Sequence, residues 1–239
     1  MAARIQAEPK PVFQADPDPD TDTESGADAG AGRAARRQRR TQLERREEAG
    51  RRILECAMEL VSTKGVAGTT LNEAGELAGY SRGLPAHHFG SKEGLLIALV
   101  EHIETGFREA RASADSWEDG IDAVLGVVSL YIERTVAQDR ATRALNILFT
   151  EGFVNGGPLS DALDRLNRNS LAYLETQIRI GVDKGQIRED VDPAAEALVI
   201  LGSLRGISAQ FLLGTPNANP QRVRESLLRT VELALRPDA

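Results

Sequence analysis

The chain has 239 residues, of which 41% are hydrophobic, 27% charged and 4% aromatic, and its net charge is −7 at pH 7. That length and apolar share suit one or two domains with a sizeable core. No run of eighteen apolar residues and no signal-like opening is present, so a membrane helix and secretion are not expected, and the single cysteine, Cys56, excludes an intrachain disulfide and a four-cysteine zinc site.

The charge is unevenly placed. Residues 1–32 carry a net −5, and residues 33–52 a net +6, from nine arginines against Glu44, Glu47 and Glu48. Local asymmetry of this kind says more about partners than the total does. Residues 1–40 lack apolar periodicity, and Pro9, Pro11, Pro17 and Pro19 break any helix there. A disordered acidic tail leading into an arginine-rich arm is therefore expected. Asp16 to Asp22 imitates a calcium loop only superficially, because Thr21 stands where Gly is needed and Ala27 where Glu is needed. Arg36, Arg37, Arg39 and Arg40 read as an arm that follows phosphates or a minor groove, with a solvated linker as the alternative. The acidic stretch could compete with DNA for that arm, or simply aid solubility.

From Leu43 onward the sequence reads as helix after helix, with no sustained alternation to suggest a strand. Ile53, Ala57, Leu60 and Val61 form one apolar stripe, with Cys56 on its inner side as a small hydrophobe. That helix ends at Lys64-Gly65, where glycine suits a left-handed cap. A short helix over Leu71–Ala78 stops at Gly79. Ser81 is expected to cap a third over Arg82–His88, and Ser91 a fourth whose core face is Leu95, Leu96, Leu99 and Ile103. Longer helices follow over 117–138, 140–153, 159–184, 193–213 and 220–236. Asp192-Pro193 and Asn219-Pro220 mark the last two starts, while Gly156-Gly157-Pro158 and Gly214-Thr215-Pro216 read as linkers. The expectation is an all-α fold of nine helices.

The informative stretch is Thr69 to Leu84: helix, tight glycine turn, helix. Ala74 and Ala78 are small where two helices would cross, and Gly79 supplies the turn. This is what a helix-turn-helix requires, with the first turn of the second helix entering the major groove. Such a pair also occurs as plain scaffold.

Here the chain resembles the TetR family of transcriptional regulators. The resemblance is carried by Gly65-x-x-Gly68-Thr69-Thr70, by Ala78-Gly79-Tyr80-Ser81-Arg82-Gly83, and by His88-Phe89-Gly90-Ser91-Lys92-Glu93-Gly94-Leu95-Leu96, without gaps over residues 50–100. It implies a helix-turn-helix DNA-binding domain over 41–92, after the tail and arm of 1–40, and a helical effector-binding and dimerisation domain over 93–239. Thr70, Arg82, Gly83, Leu84, His87 and His88 would meet DNA, Lys92 would bind a phosphate, and Phe89 would anchor the recognition helix. Pro85 and Ala86 depart from the family, which usually has an apolar residue and then tyrosine there.

The resemblance further implies a cytoplasmic homodimer on double-stranded DNA, at a palindromic operator, acting as a repressor and released by a small apolar effector. Phe107, Val128, Tyr131, Phe149, Phe153, Tyr173 and Leu174 lie at helical spacing and are the candidates for that effector's pocket, although most such residues must be core. Leu198, Val199, Leu201, Leu204, Ile207 and Phe211, then Val223, Leu227, Val231 and Leu235, with small Gly202, Ser203, Gly206 and Ser208 between, would form the seam between subunits. An enzyme is the rival reading. No Gly-x-Ser-x-Gly, phosphate loop, dinucleotide fingerprint or zinc-ligand cluster supports it, so no catalytic residue, cofactor or metal is expected. Adjacent helical residues such as His87 and His88 point about 100° apart and do not readily share an ion. A helical adaptor without DNA is the third reading, and it would have no use for the stretch from Arg82 to Lys92.

Overall fold

A computed structural model describes residues 28–113, 117–214 and 218–237, with side chains from Thr41 onward. The expected acidic tail over 1–27 lies outside the described residues. Among the described residues there are nine helices and no strand. They are α1 (Asp28–Lys64), α2 (Leu71–Leu77), α3 (Gly83–Phe89), α4 (Lys92–Ala112), α5 (Ile121–Val136), α6 (Arg140–Asn155), α7 (Gly157–Asp183), α8 (Pro193–Leu212) and α9 (Pro220–Leu235). Residues 1–50 and 51–239 form separate units.

In the first unit the described structure is the N-terminal part of α1. The helix begins at Asp28, not near Leu43, so the arginine arm of residues 36–40 has a helical backbone instead of an irregular one. Alanine and arginine are strong helix formers, and this segment is made largely of them. It has no apolar face, so periodicity carries no sign of it.

In the second unit most helix starts follow from their caps. Thr70 accepts a hydrogen bond from the Glu73 amide at 3.1 Å, and Ser91 accepts one from the Gly94 amide at 3.0 Å. Asp139, Asp192 and Asn219 cap α6, α8 and α9 in the same way, the last two with proline just inside the helix. Ser81 does not cap α3. Its backbone carbonyl accepts from the Leu84 amide, and Arg82 holds the cap position with no side-chain bond. The Gly156-Gly157-Pro158 linker is shorter than expected: α6 runs to Asn155, and α7 takes Pro158 into its first turn.

Two apolar cores hold this unit together. One joins Ile53, Leu60 and Val61 of α1 to Leu95, Leu99 and Ile103 of α4, Leu148 of α6, and Leu159, Leu163 and Leu166 of α7. The other joins Val124, Val128 and Ile132 of α5 to Leu174 and Ile178 of α7, Ile200 and Leu204 of α8, and Val231 and Leu235 of α9. Helix α7 is the one element with a long stake in both. The expected seam between subunits is corrected here: Leu201, Leu204, Ser208, Val231 and Leu235 are buried within their own chain. What α8 leaves outward is Leu198, Val199, Gly202 and Gly206, with Leu213 just beyond its end. By length and mean hydropathy, 1.3 over eighteen residues, α8 alone among the described helices could cross a membrane. Its inner face packs along α7, which makes it a bundle helix with an apolar outer stripe.

The helix-turn-helix has a tighter joint than Ala74 and Ala78 suggest. Gly75 and Pro85 are both buried, and a Cβ on Gly75 would stand 2.6 Å from the Pro85 Cγ. Gly79, at φ +80°, then reverses the chain in a conformation that favours glycine. Pro85 is the third residue of α3, where its missing amide costs little. Gly75→Ala should therefore destabilise the protein by about 1–3 kcal/mol despite alanine's better helix propensity. A thermal midpoint lower by roughly 2–8 °C is expected, and Pro85→Ala in the same chain should restore part of it. An unchanged midpoint for the single variant would contradict this packing.

Candidate functional site

The helix-turn-helix presents Thr70, Arg82, Gly83, Ala86 and His87 to solvent from the start of α2, the turn and α3. Thr70 has a structural duty as the cap of α2. Arg82 is ion-paired with Glu76 of α2, a partner that no sequence pattern singles out. Glu73, three residues after Thr70, pairs with Lys64, so only half of a capping box forms. His87 is exposed, while His88 is half-buried with its ring 5.8 Å from that of Phe89. Leu84 and Phe89 both pack on the first core, so Leu84 turns partly inward instead of projecting freely. Lys92 opens α4, its Nζ 3.4 Å from the Ala67 carbonyl. The Ser91-capped N-terminus beside it suits a phosphate. Arg36, Arg37, Arg39 and Arg40 belong to the other unit, and only their helical backbone is described.

A cavity lies where the two cores meet. Leu145 and Leu166 line it from the first core, Leu174, Leu201 and Leu204 from the second. Phe107, Tyr131, Tyr173 and Leu174 are brought together in its walls. Val128 is instead fully buried in the second core, Phe149 lines a separate outer hollow, and Phe153 is 81% exposed. The cavity volume is about 60 Å³.

The walls also hold polar groups that the sequence reading missed: Glu104, Arg111, Asn169, Ser170 and Arg205. Arg205 carried a signal, being the one cation inside the apolar run of α8. Burial lowers the guanidinium pKa of both Arg111 and Arg205. Arg111 lies 4.6 Å over the Tyr173 ring, Arg205 4.1 Å over Phe149, and Arg134 4.9 Å over Phe107. Burial pushes the Tyr131 phenol up, and its hydroxyl is engaged by Ser208 and Asn146.

The cavity is physically linked to the reading face. Helix α4 runs from Lys92 to the cavity residues Glu104, Phe107 and Arg111. Helix α6, which gives Leu145 to the cavity, is tied to α1: Arg143 donates to the Ser62 carbonyl at 2.7 Å, and Arg140 pairs with Glu59 at 2.7 Å. His102 of α4 meets Glu55 of α1 at 2.8 Å. Cys56 is half-buried, not fully interior, and burial together with Glu55 and Glu59 raises its thiol pKa, which disfavours a reactive thiolate.

The profile of the family described as bacterial regulatory proteins, tetR family, matches residues 53–99. The HTH-type transcriptional regulator TtgR of Pseudomonas putida is 30% identical over 186 residues, covering 73% of this chain and 85% of that protein. The chain belongs to the TetR family of bacterial transcriptional regulators. A TetR-family regulator from Rhodococcus sp. has the same fold, with a TM-score of 0.72 at 23% identity, over 79% of this chain and 99% of its own. AibR, solved with isovaleryl coenzyme A and operator DNA, gives a TM-score of 0.61 at 19% identity, over 76% and 97%.

In this TetR-family regulator the helix-turn-helix is the DNA-binding element, and the Glu76 carboxylate occupies Arg82 on its exposed side. An exposed pair contributes about 0–1 kcal/mol and is screened by salt. Glu76→Gln should tighten DNA binding about two- to fivefold at low ionic strength, with the gain shrinking as salt rises. Fluorescence anisotropy on a labelled duplex measures this, and identical affinities at low salt would refute competition between Glu76 and DNA for Arg82.

Proposed function

We propose that this regulator is a repressor that binds a palindromic operator as a homodimer in the cytoplasm and lets go when a small effector fills the cavity at the junction of the two cores. The observation that carries the reading is α4, a single helix with Lys92 beside the reading face at one end and cavity residues at the other. The fifteen-residue step from Lys92 to Phe107 is about 22 Å along an α-helix. A ligand that displaces the cavity end of α4 therefore shifts the helix-turn-helix packed against its start. Release requires the ligand to favour the non-binding arrangement, by about 1.4 kcal/mol for each tenfold loss of affinity. The relative AibR, solved with an acyl thioester and operator DNA on the same fold, supports the two-site reading.

Arg82, His87 and Gly83 are the proposed base-reading elements, and Thr70 and Lys92 the phosphate contacts. Arg36, Arg37, Arg39 and Arg40 add a sequence-independent electrostatic grip. The dimer forms through the outer stripe of α8. Leu198 is 60% and Val199 61% exposed, and a Cβ on Gly202 or Gly206 would meet open space. Two such stripes facing each other across a two-fold axis bury apolar area and bring helix backbones close. Two-fold symmetry then demands a palindromic site with half-sites about 34 Å apart or slightly more.

Selection of bound fragments from the source genome gives the operator. On it, Arg82→Ala should lose about 1–3 kcal/mol and relax preference at one base position, whereas Lys92→Ala should weaken all duplexes alike. Wild-type affinity for both variants would remove α3 from its reading role. For the dimer, Gly206→Arg should leave the thermal midpoint nearly unchanged and give a monomer in sedimentation. The buried Leu204→Glu should instead unfold the chain. A dimer that survives Gly206→Arg would exclude this α8 stripe as the interface.

A further inference from the structure

Two arginines face the cavity, and neither has a carboxylate within ion-pair distance among the described residues. Arg205 gives one N–H to the Asn167 Oδ1 at 2.6 Å. A guanidinium carries five N–H donors, and its others meet no acceptor among the described residues. Arg111 lies over Tyr173 without such a partner. Of the nearby acids, Glu104 lines the same cavity, accepts from Asn169 at 2.7 Å and partly offsets the charge of Arg111, whereas Asp164, beyond Arg205 in the outer hollow, is ion-paired with Arg168. Apart from Glu104, Asn169, Ser170 and the two tyrosines, the walls around these cations are apolar. A cation held in partly desolvated surroundings without a counter-charge is unfavourable, and an anion that enters relieves it. Guanidinium is also matched in shape to a planar carboxylate, which it can grip with two parallel hydrogen bonds.

Resting on the reading of this cavity as the effector site, we infer that it takes a small amphipathic carboxylate, with the acid on Arg205 and one ring or short branched chain among Phe107, Tyr131, Leu166 and Leu174. Arg111 lies at the same cavity, with its charge partly offset by Glu104, and contributes less. The size follows from the space: a cavity of about 60 Å³ is far below the several hundred Å³ of a drug-sized ligand site. A bulky phosphate-bearing cofactor tail does not fit that space, and among small anions the guanidinium fork matches a planar carboxylate.

The test is calorimetric titration of the full chain with benzoate, phenylacetate and cyclohexanecarboxylate, with the three matching amides, and with phenyl phosphate. Operator release by each compound is followed in parallel. Each acid should bind at least about tenfold more tightly than its amide, as charge-assisted bidentate bonds predict. Arg205→Met should bring that ratio close to one, Arg205→Lys should keep part of it, and Arg111→Met should lower it less. Amides binding as tightly as acids, phenyl phosphate binding more tightly than benzoate, or a ratio unaltered in both methionine variants would overturn the assignment. So would an absence of binding by every acid. If neutral lipophiles then still release operator, the ligand class alone is wrong; if no compound of any class releases it, the effector reading fails as well.

Discussion

The second unit depends on one helix having to serve two cores. Helix α7 is 27 residues long, about 40 Å at 1.5 Å per residue, longer than either core it enters. Its N-terminal part gives Leu159, Leu163 and Leu166 to the core shared with α1, α4 and α6. Its C-terminal part gives Leu174 and Ile178 to the core shared with α5, α8 and α9. Between them stand Asn167, Asn169 and Ser170. Polar residues at that point cannot close an apolar core without partners, and each has one: Arg205, Glu104 and the Leu166 carbonyl. The cavity is the consequence of this break. It opens where neither core is continuous, and its chemistry is mixed because the helix there is mixed.

The reading head rests on a different constraint, the closeness of α2 and α3. With Gly75 against Pro85 the two short helices meet with no side chain between them on the α2 side. Leu84, Tyr80 and Phe89 then press α3 onto the larger core. A helix of seven residues is not stable by itself, so its direction is set entirely by this packing. Proline at position 85, a departure from the usual pattern, is in that sense part of the joint, and Ala86 beside it is left exposed. The small side chain there leaves Arg82 and His87 as the most prominent groups on the face.

Communication between cavity and reading head needs no special device in such a molecule. α4 belongs to both, and α6 is bonded to α1 through Arg143 and Arg140. Packed helices do not deform continuously; they shift as bodies between discrete arrangements. A displacement at Phe107, Arg111 or Leu145 would move helices that already contact both places.

Much was settled by local chemistry that a sequence displays directly. Thr70, Ser91, Asp192 and Asn219 stop the chain and start helices, whatever the surroundings, because a side-chain oxygen can satisfy a free helix amide. Gly65 and Gly79 end helices because their backbones enter a left-handed region closed to most residues. The spacing from Gly65 to Leu96 was enough to place the DNA-binding element. What packs against what was decided only in three dimensions. Leu198 and Leu204 look alike in a helical run, yet one is exposed and the other sealed, because α8 turns only one face to α7 and α5. Phe107, Tyr173 and Phe153 are equally aromatic, and only the convergence of α4, α5 and α7 separates the first two from the third. The helical start of α1 was hidden because its sequence carries no apolar period. Glu76 at Arg82 and Asn167 at Arg205 were hidden because an ion pair or hydrogen bond across helices leaves no periodicity along the chain.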